Sequence, residues 1–313
     1  LGGQSYFQCV EENLSYEQIC LENQRETEWD KQRFDVLEEQ TVETSAAVKQ
    51  EEVKKQEDVR VEKLKKTKDS GYLLQNFYIV DSTTSVTKKQ FQVEKLLGAN
   101  MKLVKEPGKK QVLIYHTHAA SEGFADSTKK ESDSVIGVGD ELTKALEKKG
   151  YGVIHDRTKY DLVQGRLDRS LAYNQALASV KILQKNPSIQ VVIDLHRDSV
   201  GKGKHTYTTI NGKKCAIVMF FNGMSRSKNG PIPYLYNENL TDNLAFSLQL
   251  KCLAMERYPG FTKPIYLKGY RYNLHLRKRS LLIELGNENN TVEEAKNAAS
   301  PLAEVIAGVL AGN

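Results

Sequence analysis

Short apolar runs alternate with longer amphipathic stretches from Gln111 onward, and this alternation limits the fold more than any other feature of the chain. The apolar runs have the length of strands and the stretches between them have the period of helices: VLIYH, DSVIGVGDELTKALEKKG, YGVIHD, RSLAYNQALASVKILQKN and IQVVIDLH. Helix stop signals follow the two helical stretches, at Gly150 and at Asn186 with Pro187. The segment therefore predicts a βαβαβ unit of an α/β fold.

The strand candidates are continuously apolar, which indicates burial on both faces of a parallel sheet. Further strand-like runs, KKCAIVMFF and SLLIELG, lie on either side of a helical stretch near residues 238–258, and an amphipathic helix ends the chain. We therefore predict an α/β fold with a mixed, mostly parallel central sheet flanked by helices. Right-handed crossovers would place the carboxyl end of every strand along one edge, where ligands bind in open α/β sheets.

Composition divides the chain into three predicted parts. Residues 16–68 are rich in Glu, Lys, Gln and Arg with opposite charges interspersed, so residues 1–72 are predicted to form a polar helical or flexible spacer. Residues 73–110 contain a β-rich run and a short helical stretch, and we expect them to be a lead-in subdomain that packs on the main domain. Residues 111–313 are the predicted catalytic domain.

Charge and cysteine content exclude several classes of protein. The chain has 45 Lys and Arg against 40 Asp and Glu, and its net charge of +5 falls short of the concentrated basic face of a nucleic-acid-binding protein. The four cysteines include no C-x-x-C pair, which argues against a thiolate zinc site or a disulfide framework. No apolar run reaches the roughly 18 residues of a membrane helix. Because the sequence starts at Leu1 and not at Met, we expect a membrane tether upstream.

Three of the apolar runs end in polar or ionisable residues. These ends are IYHTH at 114–118, VVIDLHRD at 191–198 and LLIELGNENNT at 281–291. A buried imidazole or carboxylate is costly unless it is paired or bound to a metal. Three such ends on one sheet therefore indicate a functional site.

Two histidines and a carboxylate from these ends match the ligand set of a catalytic zinc, Zn²⁺, which takes three protein ligands and leaves a fourth position for water. His118 follows the first strand with Glu122 four residues later, and His196 ends the central strand. This spacing gives a short-spaced pair and a distant third ligand. We predict His118, Glu122 and His196 as metal ligands.

Other polar residues near these ends are predicted to support the ligands. Asp194 and Asp198 flank His196 and are candidates to orient its ring. We expect His116 to face away from His118 and to act as a neighbouring group.

Glu284 is the most informative carboxylate, because it lies between Ile283 and Leu285 in an apolar run. A Glu near an activated water is the usual general base, which accepts the proton of the water and delivers it to the leaving amine. We therefore predict Glu284 as the catalytic residue. If Glu284 instead had only a structural role, we would expect it to form a buried salt bridge to Arg197 or Arg271.

Several motifs resemble the stage II sporulation protein P family of endospore-forming bacteria. They span residues 76–299 and include YHTHAASE, VGDELTKALEKKG, HDRTKYD, NPSIQVVIDLHRD and IELGNENNT. The resemblance implies a zinc-dependent fold like that of N-acetylmuramoyl-L-alanine amidases. It also implies that His118 and His196 are zinc ligands and that Glu284 is the catalytic acid and base.

The third ligand implied by this resemblance is the Glu that follows the H-T-H segment. Family members commonly place it three residues after the second His, whereas here Ser121 occupies that position. Glu122 is the preferred ligand, and Glu131 is the alternative.

The resemblance also implies a biological setting. The family degrades peptidoglycan during engulfment of the forespore and cuts both the muramoyl–alanine amide and peptide cross-links. It acts outside the mother-cell cytoplasm on the engulfing membrane, usually tethered by an N-terminal transmembrane helix. Its partner is a lytic transglycosylase, stage II sporulation protein D.

Two other functions compete with this interpretation. A zinc carboxypeptidase would need arginines to bind a terminal carboxylate, for which Arg271 and Arg277 are candidates. A peptidoglycan-binding scaffold without activity would be expected to lack Glu284 or a ligand, and both are present. Thr291 and Glu294 are predicted to form a capping box on the last helix.

Overall fold

The structure is a computed structural model, and it describes residues 46–312. Its strands are β1 (Tyr78–Val80), β2 (Lys110–Tyr115), β3 (Gly152–His155), β4 (Leu162–Val163), β5 (Arg166–Leu167), β6 (Val191–Asp198), β7 (Tyr207–Ile210), β8 (Lys213–Ala216), β9 (Val218–Gly223), β10 (Arg226–Ser227), β11 (Gly230–Pro231), β12 (Ile265–Lys268) and β13 (Arg279–Asn287). Its helices are α1 (Ala46–Thr67), α2 (Ser70–Phe77), α3 (Val93–Gly98), α4 (Val135–Lys148), α5 (Ala172–Ala176), α6 (Ser179–Lys185), α7 (Leu240–Arg257) and α8 (Val292–Ala311). The prediction for residues 1–45 falls outside the described residues.

A seven-stranded sheet in the order β1-β12-β9-β13-β6-β2-β3 forms the centre of the fold. Strands β13, β6, β2 and β3 are parallel to one another, as are β9, β12 and β1. The two groups meet at the antiparallel pair β9 and β13. The predicted mixed, mostly parallel α/β sheet is confirmed, but only β2, β3, β6 and β13 end along the edge that the sequence assigned to every strand.

The two faces of this sheet are covered unequally. Helices α4, α7 and α8 bury the larger core on one face, where Val138, Phe246 and Ile306 pack against the strands. The opposite face carries two smaller apolar clusters, one around Tyr115 and one around Phe221. Polar residues of β6 and β13 therefore have access to solvent on this less covered face.

Helix boundaries largely follow the predicted signals. The predicted end of α4 is confirmed, because Gly150 adopts the left-handed region with φ 88°. The predicted end of α6 is also confirmed, because Asn186 directly follows its last residue. Thr291 and Glu294 form the predicted capping box of α8. The stretch 169–186 is divided into two short helices, α5 and α6, because bonds from residue i to residue i−3 interrupt the α-helical pattern between them.

Helix α1 packs on α7, although most of its residues are polar. Val61 and Leu64 are buried, and the Lys65 ammonium lies 2.6 Å from Glu256 of α7. Glu57 accepts a hydrogen bond from the Gly260 amide at 3.0 Å and lies 3.9 Å from the buried Lys251 ammonium. The division of the chain at residues 72 and 110 stays a prediction.

The lead-in segment joins the sheet through β1, which pairs with β12. Its following loop is tied to β10, because Thr84 and Ser85 donate to the carbonyls of Arg226 and Ser227 at 2.5 and 2.9 Å.

Within residues 46–312, no helix combines the length and apolar composition needed to cross a bilayer.

Candidate active site

Strand register places Glu284 beside His196. The two residues are direct partners across β13 and β6, and Met219 of β9 is the partner of Glu284 on its other side. Residues paired in this way project from the same face of a sheet. The site therefore lies on the less covered face of the sheet, close to the strand ends, and not only at the edge beyond them.

A cavity of about 380 Å³ opens over this face. All four residues predicted for the site line it: His118, Glu122, His196 and Glu284. The structure thus brings together side chains from three strand ends that lie far apart in the sequence. Glu131, the alternative ligand, does not line this cavity and instead forms salt bridges with Arg157 and Lys159 at 3.4 and 2.7 Å.

His118 reaches the cavity because β2 ends at Tyr115 and the chain turns. Its ring centroid lies 5.3 Å from that of His196 and 5.5 Å from that of Tyr173. Burial, together with the positive charges of Arg169 and His196, holds the pKa of His118 well below its usual value. Its buried Nδ1 has no hydrogen-bond partner in the described part of the chain, so the neutral imidazole keeps an available nitrogen.

Glu122 and His196 bond directly to each other. The Oε1 atom of Glu122 lies 3.0 Å from Nδ1 of His196, and its Oε2 atom accepts from the Arg197 amide at 3.1 Å. Burial by itself raises the pKa of Glu122, but His196 and the nearby arginines offset it and the net shift is downward. Glu122 is therefore an anionic group inside the cavity wall.

Asp194 lies against the other ring nitrogen of His196. Its Oδ1 atom lies 2.8 Å from Nε2 of His196 and accepts from the Thr117 amide at 2.9 Å, while its Oδ2 atom accepts from the Thr117 hydroxyl at 2.6 Å. Burial by itself lowers the pKa of His196, but Asp194 and Glu122 outweigh it and the pKa is well above its usual value. Asp198, the other candidate to orient this ring, contacts Lys263 at 3.3 Å.

Glu284 is half-buried at the cavity wall. Arg197, one proposed salt-bridge partner, directs its guanidinium to main-chain carbonyls, with Nε 2.8 Å from Gly123 O and Nη1 3.1 Å from Asp198 O. Arg271 and Arg277 do not line the cavity. Arg277 bonds to the carbonyls of Ile189 and Leu276, and Arg271 bonds to that of Tyr236, so neither of the two arginines suggested for a carboxypeptidase faces this cavity.

His116 lies away from His118, as expected, but for a different reason. Residues two apart in a strand share a face, and the turn after Tyr115 is what separates them. The Nδ1 atom of His116 is 2.7 Å from Leu195 O, and its Nε2 atom is 2.8 Å from Nε2 of His155. His155 in turn contacts Asp140 at 3.0 Å, a carboxylate contact that the sequence did not indicate.

Sequence reasoning missed several residues of the cavity wall. Arg169 donates to Ser121 Oγ at 2.9 Å and lies 4.0 Å from Glu122 Oε1, while Tyr173 and Lys268 line the same cavity. Arg169 and Tyr173 precede or begin a helix and carry no motif that would identify them. Tyr272 also lines the cavity.

The donor types at the cavity fit a zinc ion, although the side chains are not preassembled around one. Among residues 46–312, no three His, Cys, Asp or Glu side chains are already arranged to hold a metal. His196 and Glu122 bond to each other, so metal binding would exchange the proton between them for the cation. The unpartnered Nδ1 of His118 adds a second imidazole donor.

Comparison with known proteins places the chain in a family. The family model of stage II sporulation protein P (SpoIIP) matches residues 5–307. Stage II sporulation protein P of Bacillus subtilis (strain 168) is 33% identical over 218 residues, which are 63% of this chain and 50% of that protein. The chain therefore spans about half the length of this relative.

Two solved structures show weaker similarity. The catalytic domain of CwlV, an N-acetylmuramoyl-L-alanine amidase from Bacillus (Paenibacillus) polymyxa var. colistinus, is 14% identical with a TM-score of 0.37, over 64% of this chain and 95% of that one. An N-acetylmuramoyl-L-alanine amidase from Clostridium difficile 630 is 15% identical with a TM-score of 0.39, over 64% and 94%. Because the SpoIIP model matches most of the sequence, the chain belongs to the stage II sporulation protein P family.

Proposed function

We propose that the protein is a peptidoglycan hydrolase that cleaves the amide bond between N-acetylmuramic acid and L-alanine. The observation that carries this proposal is the juxtaposition of Glu284 with His118, Glu122 and His196 in one cavity. Family membership supports the assignment to sporulation. Cleavage of peptide cross-links, which the sequence resemblance implies, is the second part of the proposal.

A zinc ion is the proposed cofactor, and His118, Glu122 and His196 would hold it. Zinc would supply Lewis-acid activation of a water molecule and of the scissile carbonyl. Asp194, held by Thr117, would fix the orientation of the His196 ring.

Glu284 is the proposed general base and acid. Its place beside His196 on the cavity face allows its carboxylate to take a proton from the attacking water and deliver it to the leaving amine. Arg169, Arg197 and Lys268 line the same cavity and place positive charge where the carboxylates of a stem peptide would lie.

The cellular setting is also a proposal. We infer that the protein acts outside the cytoplasm at the engulfing septum, with its membrane tether upstream of Leu1. Stage II sporulation protein D, a lytic transglycosylase, is the proposed partner. The family assignment supports this setting.

The test combines metal analysis with product analysis of digested peptidoglycan. We expect about one zinc per chain and release of free stem peptides that a chelator abolishes and added zinc restores. A metal-free protein that binds peptidoglycan without cutting it would overturn the proposal and favour a scaffold. Release of products with an intact muramoyl–alanine bond would instead contradict the assigned bond.

A further inference from the structure

A second cavity of about 300 Å³ lies on the β10–β11 hairpin and is lined by Pro231, Ile232, Pro233, Tyr234 and Tyr270. We call this surface the tyrosine groove. We propose that it binds sugar rings of the glycan strand whose stem peptide lies in the candidate active site. The proposal rests on the proposed function. It concerns the sugar part of the substrate, which the residues of the candidate active site do not account for.

The walls of the tyrosine groove come from segments that are tied together. The loop after β1 is bonded to β10 through Thr84 and Ser85. The Arg226 amide donates to the carbonyl of Gly269, the residue before Tyr270, at 2.8 Å. A cavity fixed by such contacts is formed before a ligand arrives, which lowers the entropic cost of binding.

Aromatic rings connect the tyrosine groove to the candidate active site. The centroid of Tyr270 is 6.4 Å from that of Tyr272, and Tyr272 is 5.3 Å from Tyr173. Tyr173 contacts His118, one of the proposed metal ligands, at 5.5 Å between centroids. The two cavities therefore lie on either side of one row of packed aromatic rings.

The turn that carries these tyrosines has an unusual backbone. Tyr272 and Asn273 both have positive φ, 50° and 55°, a region that bulky residues rarely adopt. Gly223 permits this turn to pack on β9, because a Cβ atom there would lie 2.3 Å from the Tyr270 carbonyl oxygen. Such strained turns cluster at ligand sites, which agrees with a role for Tyr270 and Tyr272 in binding.

Charge distinguishes the occupants of the two cavities. The residues that line the tyrosine groove are all uncharged, whereas Arg169, Arg197 and Lys268 line the candidate active site. Stem peptides carry carboxylates, while N-acetylated sugars of the glycan strand are neutral once the lactyl group is in amide linkage. The groove therefore suits sugar rings, whose C–H faces pack on aromatic side chains.

The exposure of the tyrosines supports a binding role. Tyr234 is 47% exposed and Tyr236, two residues later, is 73% exposed. The Tyr236 carbonyl accepts from Arg271 at 3.1 Å, which fixes this segment next to the turn at Tyr272. Tyr234 lines the groove, and its exposed ring is accessible to a ligand there.

Substitution of Tyr234 in the full 313-residue chain tests the inference. The probe is glycan strands from which stem peptides have been removed. We expect Tyr234→Ala to weaken binding of these strands about tenfold and to raise KM for intact peptidoglycan by a similar factor without changing kcat. Tyr234→Phe should retain binding, and hydrolysis of a single muramoyl-peptide should be unchanged in both variants.

Tyr207→Ala is the matched control, because Tyr207 is 42% exposed on the β7–β8 hairpin. Equal glycan binding by the Tyr234→Ala and Tyr207→Ala variants, with hydrolysis intact, would overturn the groove and leave the proposed function standing. Glycan binding that depends on Tyr234 in a protein unable to cut any muramoyl-peptide would support the groove and overturn the proposed function.

Discussion

At the scale of single residues, the site depends on where each polar side chain points. Glu284 is an acid between buried apolar neighbours, and it is tolerated because it faces the cavity while Ile283 and Leu285 face the core. His118 is neutral because burial lowers its pKa, and a neutral imidazole is the form that binds metal. Substitution of Glu284 and substitution of His118 are therefore expected to affect turnover and metal binding differently.

Glu284→Gln should abolish turnover and leave the metal in place. The amide cannot accept the proton of the attacking water, so kcat should fall by about 10²–10⁴-fold. Steady-state hydrolysis of a muramoyl-peptide, measured with metal content on the same sample, checks this. Residual activity near that of the unmodified protein would show that another group is the base.

His118→Ala should lose the metal together with the activity. Removal of one of the three proposed ligands would leave an incomplete zinc site. Metal content after dialysis against a weak chelator is the measurement. His205→Ala is the control, because His205 contacts Glu294 at 2.7 Å outside the cavity and its substitution should leave the metal content unchanged.

At the scale of elements, the packing of α1 is the least expected feature. A helix with many Lys and Glu residues buries Val61 and Leu64 on α7, while Val59 on the same helix is 55% exposed. Two apolar residues three positions apart provide one contact stripe on an otherwise polar helix. The part of the predicted spacer that the structure describes is therefore attached to the domain along α7.

Leu64→Ala should lower the free energy of unfolding by about 2–5 kcal/mol, because it leaves a cavity at a fully buried position. Urea unfolding of the two proteins checks this value. Val59→Ala changes an exposed position of the same helix and should have little effect. Equal, small effects of both substitutions would show that α1 does not pack on α7 in solution.

At the scale of the whole molecule, buried neutral histidines make the fold sensitive to acid. Burial, with the positive charge of Arg271, lowers the pKa of His275 to about 3, and burial with the neighbouring His155 lowers that of His116 to about 4. In the unfolded chain both would titrate near about 6.5. The unfolded state therefore binds more protons below that pH, and stability is full above it and falls as the pH decreases toward 4.

His275→Gln should reduce this acid sensitivity. A pH of 5 lies about 1.5 pH units below the pKa of His275 in the unfolded chain. The histidine should therefore lower the free energy of unfolding by about 2 kcal/mol at pH 5 relative to pH 7. Urea unfolding at both pH values measures the difference, which should be smaller by that amount in the variant. An identical difference in the two proteins would contradict the neutral state of His275.

Much of the architecture follows from local patterns in the sequence. Continuous apolar runs identified β2, β6 and β13, and the stop signals located the ends of α4 and α6. Glu284 and His118 were identifiable because a polar residue inside or at the end of a buried strand is costly without a function. Thr291 with Glu294 marked the start of α8 for an equally local reason.

Contacts between distant segments depended on the tertiary structure. The antiparallel pairing of β9 with β13 joins strands that are separated in the chain by β10, β11, α7 and β12. Arg169 in the turn directly before α5, Tyr173 within α5 and Lys268 at the end of β12 line the cavity, and no motif indicates this. The sequence by itself determined which residues are apolar, capped or costly to bury, because these properties depend on near neighbours. Only the tertiary structure decided strand direction and the makeup of the cavity wall, because both depend on the packing of segments far apart in the chain.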